Sequence, residues 1–357
     1  MDIESKLSLI KQVGEEIITE KELKLLLETN PNPIAYYGFE PSGTDIHIAQ
    51  GILRSININK MTKTGIKFKM LVADWHAWAN NKMGGDLEKI QTVGKYLIEV
   101  WKHCGMDLKN VEFVWANDFV EDAEYWKKVM QVSRNSTVNR IIRTGQIMGR
   151  KEADVQQASQ ILYPCMQCAD IFHLKADITQ LGMDQRKVNV LAREIGPSLG
   201  FWKPVIVSHH MLMGLGEPPK EKGVDRVIDL KMSKSKPDTA IFMNDSEEYI
   251  KRKISKAYCP AKIIEENPMM DYSKYIIFEK HPVMEIKRPE KFGGDLIIEN
   301  YAKLEELYSE GKIHPMDLKN SVASALNEMI KPVREAFEKD HKLSHLRDTI
   351  RKFEVTR

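Results

Sequence analysis

Apolar and polar positions along the 357-residue chain alternate between two rhythms. "EKELKLLLETN" carries its apolar residues at helical spacing and stops before two prolines, so residues 1–30 read as a helix pair. "IAYYGF" is a short β-rich run closed by the turn signal "EPSG". A helical period follows from Ile46 to Thr62, and "IKFKMLVADW" reads as the next strand. "DLEKIQTVGKYLIEVWKHCGM" predicts an amphipathic helix ending at Gly105, and "VEFVWAN" a third strand. Residues 121–175 break this rhythm and read as mostly helical, with an insertion at about 121–160. The alternation resumes with "KADITQLG", the helix "DQRKVNVLAREI" and the strand "PVIVSH". From about Ser246 the pattern is helical, clearest in "EYIKRKISKAY", "YAKLEELYSEG" and "DLKNSVASALNEMIKPVREAFEKD".

Strands alternating with helices predict an α/β class: a Rossmann-like parallel-sheet domain with a helical insertion, followed by an all-helical C-terminal domain. The expected boundaries are 1–30 for the N-terminal helical segment, 31–240 for the Rossmann-like domain and 241–357 for the helical domain. Composition changes this little. At 42% hydrophobic and 29% charged residues the chain reads as globular, with no apolar run of the roughly 20 residues needed to cross a bilayer. Neither a signal-peptide stretch nor dense cysteine usage is present, which points to a reducing intracellular compartment. A net charge of +2 means that a polyanionic partner would have to meet a local basic patch. Arg134, Arg140, Arg143 and Arg150 of the insertion could supply one, or could be a solvated helix face.

"YPCMQCAD" sets Cys165 and Cys168 at the spacing of a dithiol or half a metal site. Cys104 and Cys259 are far away in sequence, so a four-ligand zinc site lacks partners, and no metal ligands are assigned. At about 100° per residue, Tyr163, Gln167 and Asp170 fall within roughly 60° of one another on one helix face. The cysteines lie near the opposite face and are expected in the core, where a free thiol behaves as a small hydrophobe. The polar face gathers a phenol, an amide and a carboxylate.

The densest chemistry is "KMSKS", Lys231 to Ser235, after a Gly/Pro-rich loop. Two lysines with Ser233 and Ser235 can surround a polyphosphate with ammonium charge and hydroxyl donors. The string resembles the signature of class I aminoacyl-tRNA synthetases, whose partner is a "HIGH"-type tetrapeptide after the first strand. Here that place holds His47-Ile48-Ala49-Gln50, which departs at two of four letters. A histidine at a helix N-terminus can donate to phosphate, and Gln50 can donate from its amide without carrying charge.

"AYYGFEPSG", "ILYPCMQCADI", "LGMDQRKVNVLARE", "KMSKS", "KRPEKFGGD" and "HPMDLK" follow one another over roughly residues 30–355. Together they resemble the tyrosyl-tRNA synthetases of archaeal and eukaryotic cytosolic type. The resemblance implies a tyrosine pocket at Tyr36, Tyr163, Gln167, Asp170 and Gln185. Tyr36 and Asp170 would meet the substrate's phenol; the other three would hold its ammonium group. It implies ATP contacts at His47, Gln50, Asp184 (on the ribose), Lys231, Ser233, Lys234 and Ser235, with Lys231, Lys234 and His47 catalytic and Mg²⁺ on the phosphates. Closing of the "KMSKS" loop over ATP would be the conformational step. Phe292, His314 and Asp317 would read the anticodon of tRNA(Tyr), Arg143 would meet the acceptor end, and the insertion would form a homodimer interface. The implied reaction is ATP-dependent tyrosine–tRNA ligation in the cytoplasm. Two other readings remain at this stage: a tryptophanyl-tRNA synthetase, which shares the fold and both signatures, and a non-catalytic RNA-binding paralogue, suggested by the altered "HIAQ".

Overall fold

The computed structural model describes residues 1–148, 157–220 and 226–354. Six strands form the central sheet: β1 (Gly14–Ile18), β2 (Ile34–Phe39), β3 (Lys67–Val72), β4 (Val111–Trp115), β5 (Ile178–Gly182) and β6 (Val205–His209), in the order β1-β6-β5-β2-β3-β4. All neighbours are parallel except β1, which runs antiparallel to β6 at one edge. The five strands expected from sequence are β2 to β6. Each residue of β5 and β6 is buried, as expected where helices cover both faces of a parallel sheet.

β1 is the element that the pattern did not signal. The two helices of the first 30 residues, Ile3–Lys11 and Glu20–Thr29, flank it rather than following one another. "GEEII" has one strong β-former pair and two glutamates, and only its edge pairing with β6 makes it a strand.

From β2 the chain builds outward through β3 to β4, then returns to the other side of β2 for β5 and β6. The strand order therefore reverses between β2 and β5. In open α/β sheets the crevice beyond the C-terminal ends of the strands at such a reversal is the place for a ligand. The ends of β2 and β5 here are "FEPSG" and "GMDQ". The insertion helices Ala123–Arg134 and Val138–Thr144 pack with the helix Ala158–His173 beside this crevice.

The C-terminal part is mainly helical, with a 25-residue helix Pro315–Lys339 at its centre. One addition to the expected all-helical picture is a hairpin of β7 (Met284–Ile286) and β8 (Leu296–Ile298). Three-residue strands carry too little periodicity to be read; "KRPEKFGGD" connects them. At its end Gly293 and Gly294 adopt φ of +99° and +68°, a region that favours glycine.

Two joints tie this part to the sheet. His210, just beyond β6, lies 2.7 Å from both Glu15 Oε2 and Asp271 Oδ1 and stacks on Tyr275. Burial alone would lower its pKa, but the two carboxylates raise it to about 9. At the second joint, Tyr96 packs edge-on against Phe337, donates to Asp45 at 3.0 Å, and accepts from Asn244.

Candidate active site

A cavity opens at the strand reversal, lined by Tyr36, Tyr163, Gln167 and Gln185 of the residues expected to bind a small substrate, with Asp170 behind the lining. At its inner end, Asp170 is fully buried on the helix Ala158–His173. Tyr36, projecting from β2, donates to Asp170 Oδ2 at 3.5 Å, and Tyr125 donates to Oδ1 at 3.0 Å. His76 Nε2 stands 2.9 Å from Oδ2. Burial would depress the His76 pKa, but the Asp170 carboxylate outweighs it and the pKa is raised. Burial and the same carboxylate raise the phenols of Tyr36 and Tyr125 well above their usual value, so both stay protonated donors. A Cβ at Gly38 would overlap the Tyr36 hydroxyl, which is why β2 can carry the phenol there only with glycine two residues on.

Tyr163 and Gln167 sit on the same helix face as Asp170, as the spacing predicted. Tyr163 meets His76 edge-on with ring centroids 5.3 Å apart. Gln167 donates to Gln185 Oε1 at 3.1 Å, and Gln185 donates onward to the Ile147 carbonyl at 3.0 Å. Cys165 and Cys168 are 1% and 0% exposed, and burial pushes both thiols up. They are core residues turned from the cavity lining. Among the described residues, no group of three or more His, Cys, Asp and Glu side chains is placed to hold a metal.

The outer end is built differently. His47 pairs with Phe242 in an isolated β-bridge, and Ile48 and Met243 bond to Ile241 and Ile46. This bridge brings the stretch after "KMSKS" onto "HIAQ". Lys231 lines the cavity and donates to Asp184 Oδ2 at 2.7 Å. Lys234 reaches the rim, donating to the Ser42 carbonyl at 2.5 Å, and burial pulls its pKa down to about 8. Burial, with Lys234, Arg54 and Lys231 nearby, holds His47 well below the ordinary imidazole value, so it is neutral at pH 7. His47 Nδ1, Gln50 Oε1 and Arg54 Nε are buried without a partner. Ser233 and Ser235 bond to each other at 3.0 Å.

The remaining expected residues lie elsewhere. Arg143 is exposed in a groove it shares with Arg140, Arg186 and Lys187. His314 caps the helix Pro315–Lys339, accepting from Met316 N at 3.2 Å, with Asp317 in the first turn. Phe292 belongs to the short helix Glu290–Phe292; Arg288 joins that loop to the His314 approach by donating to the Gly294 and Lys312 carbonyls. Arg150 lies outside the described residues.

His76, Tyr125 and Arg54 were not anticipated. The first two converge on Asp170 from separate elements, which no local spacing reveals. Arg54 stands seven residues after His47, two helical turns, and that spacing could have found it.

The family model for class I tRNA synthetases (W and Y) matches residues 28–331. The cytoplasmic tyrosine–tRNA ligase 1 of Arabidopsis thaliana is 47% identical over 359 residues, spanning all of this chain and 90% of that protein. The tyrosine–tRNA ligase of Thermococcus kodakarensis is 43% identical, covering 95% and 96% of the two chains. The solved tyrosyl-tRNA synthetase from Pyrococcus horikoshii, complexed with L-tyrosine, matches 98% of this chain and all of that one, with a TM-score of 0.91 and 40% identity. A tryptophanyl-tRNA synthetase from Encephalitozoon cuniculi matches with a TM-score of 0.71 at 18% identity over 98% and 94% of the chains, a likeness of fold alone. With the reversal-point cavity, both signature strings and relatives of this identity, the chain belongs to the tyrosine–tRNA ligases of archaeal and eukaryotic type, within the class I aminoacyl-tRNA synthetases.

Proposed function

We propose that the chain activates L-tyrosine with ATP and transfers the tyrosyl group to the 3′ end of tRNA(Tyr). The observation that carries this is the carboxylate web at the inner end of the cavity. Asp170 accepts from Tyr36 and Tyr125 and contacts His76, and with about four acceptor sites on its two oxygens it keeps capacity for a substrate hydroxyl that meets Tyr36 at the cavity wall. The Tyr36 hydroxyl can serve the same group as donor or acceptor. Sites built to bond a substrate hydroxyl, those of tyrosyl-tRNA synthetases among them, reject the analogue lacking it by roughly 10⁴–10⁵. Tyr163, Gln167 and Gln185 offer oxygens to the α-ammonium group.

In the first step a tyrosine carboxylate oxygen attacks the α-phosphorus of ATP. The bond from that phosphorus to the β-bridging oxygen breaks, its electron pair leaves on pyrophosphate, and tyrosyl-adenylate remains. A terminal ribose hydroxyl of the tRNA then attacks the acyl carbon, its proton passing to solvent or phosphate, and AMP leaves. The carboxylate is already a nucleophile, so the residues act by positioning and by stabilising charge. Lys231, Lys234 and His47 face the phosphates, with Gln50, Ser233 and Ser235 as further donors, and Asp184 receives the ribose. Lys231 would leave its bond to Asp184 as ATP enters. Mg²⁺ travels with the triphosphate, whose oxygens it shields when bound.

His314 and Asp317, with the Phe292 loop, form the surface offered to the anticodon, since splayed bases suit imidazole and carboxylate edges. Arg143 and its basic groove face the acceptor end. A homodimer through the insertion is supported by Met130, Val138 and Leu162, exposed at 62%, 63% and 39% on the three helices there. Sedimentation of Met130→Glu as a monomer, against a dimer for the unaltered chain, tests this. The cytoplasm is the proposed compartment; among the described residues no helix is long and apolar enough to cross a membrane.

The deciding experiment is ATP–pyrophosphate exchange with added amino acids. Exchange with tyrosine is expected. Exchange with tryptophan would move the chain to the other specificity, and none with either would leave an RNA-binding paralogue.

A further inference from the structure

Arg54 is a buried cation with no carboxylate in direct contact among the described residues; Asp184 acts on it from a distance and is already paired with Lys231. Arg54 is 6% exposed, cannot shed its proton, and makes no ion pair among the described residues. Its guanidinium lies 4.0 Å over the Tyr37 ring and 5.0 Å from the Trp101 ring, and donates to the Tyr37 hydroxyl. Those contacts hold it in one orientation without setting a carboxylate on the guanidinium, and its Nε has no hydrogen-bond partner among the described residues. A buried charge without a counter-ion is strongly unfavourable, so a cation kept there is matched by something that arrives.

The place tells what arrives. Arg54 lines the cavity with His47, Gln50 and Lys231. It opens the α-helix Arg54–Thr62 that continues the π-helical turn Ala49–Leu53 after His47, so the His47, Gln50 and Arg54 side chains all reach the cavity from this one segment. His47 is neutral and Gln50 is uncharged, so this segment would otherwise offer a phosphate no formal charge. Lys231 and Lys234 approach from the other side, on the signature loop. A planar guanidinium presents paired donors that match phosphate geometry.

We propose that Arg54 binds the phosphate chain of the nucleotide, supplying from the "HIAQ" helix the fixed positive charge that Gln50 lacks. This rests on the reading of the outer end as the ATP site. It places a permanent cation on the cavity wall, on a different segment from the two loop lysines.

The test measures equilibrium binding of ATP and of adenosine to the folded chain, with melting temperature as control. Arg54→Gln should weaken ATP by about tenfold or more while adenosine changes less than about twofold, as expected for loss of a charge-assisted contact. Arg54→Lys should recover most of the ATP affinity. Equal weakening of both ligands, or no recovery with lysine, would overturn the assignment and make Arg54 a packing residue of Tyr37 and Trp101. Should Arg54→Gln fail to fold, the unaltered protein decides. Its ¹⁵N-arginine spectrum, with the Arg54 Nε–H signal assigned from Arg54→Lys, is titrated with inorganic pyrophosphate. A shift of that signal supports the contact, and a fixed signal refutes it. Absence of tyrosine-dependent exchange, with ATP still preferred through Arg54, would refute the ligase reading and support this one.

Discussion

The two ends of the cavity solve opposite problems. At the inner end one carboxylate is the hub: Asp170 collects Tyr36, Tyr125 and His76 in a dry setting, and His76 Nδ1 is left unpaired. At the outer end His47, Gln50 and Arg54 keep buried atoms unpaired, and the lysines rest on makeshift partners, Asp184 and the Ser42 carbonyl. The inner end is fixed before the substrate comes, which suits a group that must be recognised. The outer end is charged and unfinished, which suits a group that must be bound, distorted and released. Recognition and catalysis are thus divided along about one side-chain layer of the same crevice.

The largest break in this contrast should come from Asp170→Ala. It strands three donors at once, so kcat/KM for tyrosine in pyrophosphate exchange should fall by at least about 10³-fold. A loss under tenfold would show that the web is packing and not recognition. Lys234→Ala should act on the other side of the division. It should slow adenylate formation by about 10²–10³-fold while equilibrium tyrosine binding stays nearly unchanged, because the ammonium meets charge that grows in the transition state. Equal losses in both would erase the distinction between the ends.

The outer end should also be the pH-sensitive one. Lys234 has its pKa lowered to about 8, and the charged form is the active one, so kcat/KM for ATP should be level below that pH. Above it the parameter should fall about tenfold per unit. The phenols around Asp170 titrate far higher and should add no break at that pH to tyrosine affinity. The smallest effect is reserved for the residues that look most reactive. Cys165→Ala and Cys168→Ala should leave exchange within about threefold of the unaltered chain and lower the melting temperature modestly, as small core truncations do. A large loss of activity without unfolding would bring the thiols back into the chemistry.

How much of this could be read from the chain differs between the ends for a physical reason. Tyr163, Gln167 and Asp170 are four and three residues apart on one helix, so local periodicity brings them together. Strands β5 and β6 are buried throughout and read as near-continuous apolar runs, whereas β3 and β4 were legible from their β-branched and aromatic content. His76 and Tyr125 reach Asp170 from a six-residue helix and from the insertion, and such convergence is set by tertiary packing alone. β1 escaped because edge strands need only one partner and tolerate glutamates. The roles of Ser233 and Ser235 rest on resemblance, since their side chains meet each other in this state of the loop.

The five letters "KMSKS" straddle a mechanical boundary. Lys231 is paired to Met213 in a β-bridge, and Met232 donates to the Leu212 carbonyl at 2.7 Å, so the first two residues are moored to the chain leaving β6. Eight residues later the chain is moored again, where Ala240 and Ile241 are wholly buried and Phe242 joins His47. Between these moorings the backbone of Ser233 to Asp238 bonds only within its own span among the described residues. Lys231 can change its aim but not its footing, whereas Lys234 is carried wherever the span goes. Should the loop close over ATP, one lysine of the motif would be a stationary post and the other a moving hand. A spectroscopic label at Ser235 should register each turnover that one at Met213 sits through unmoved.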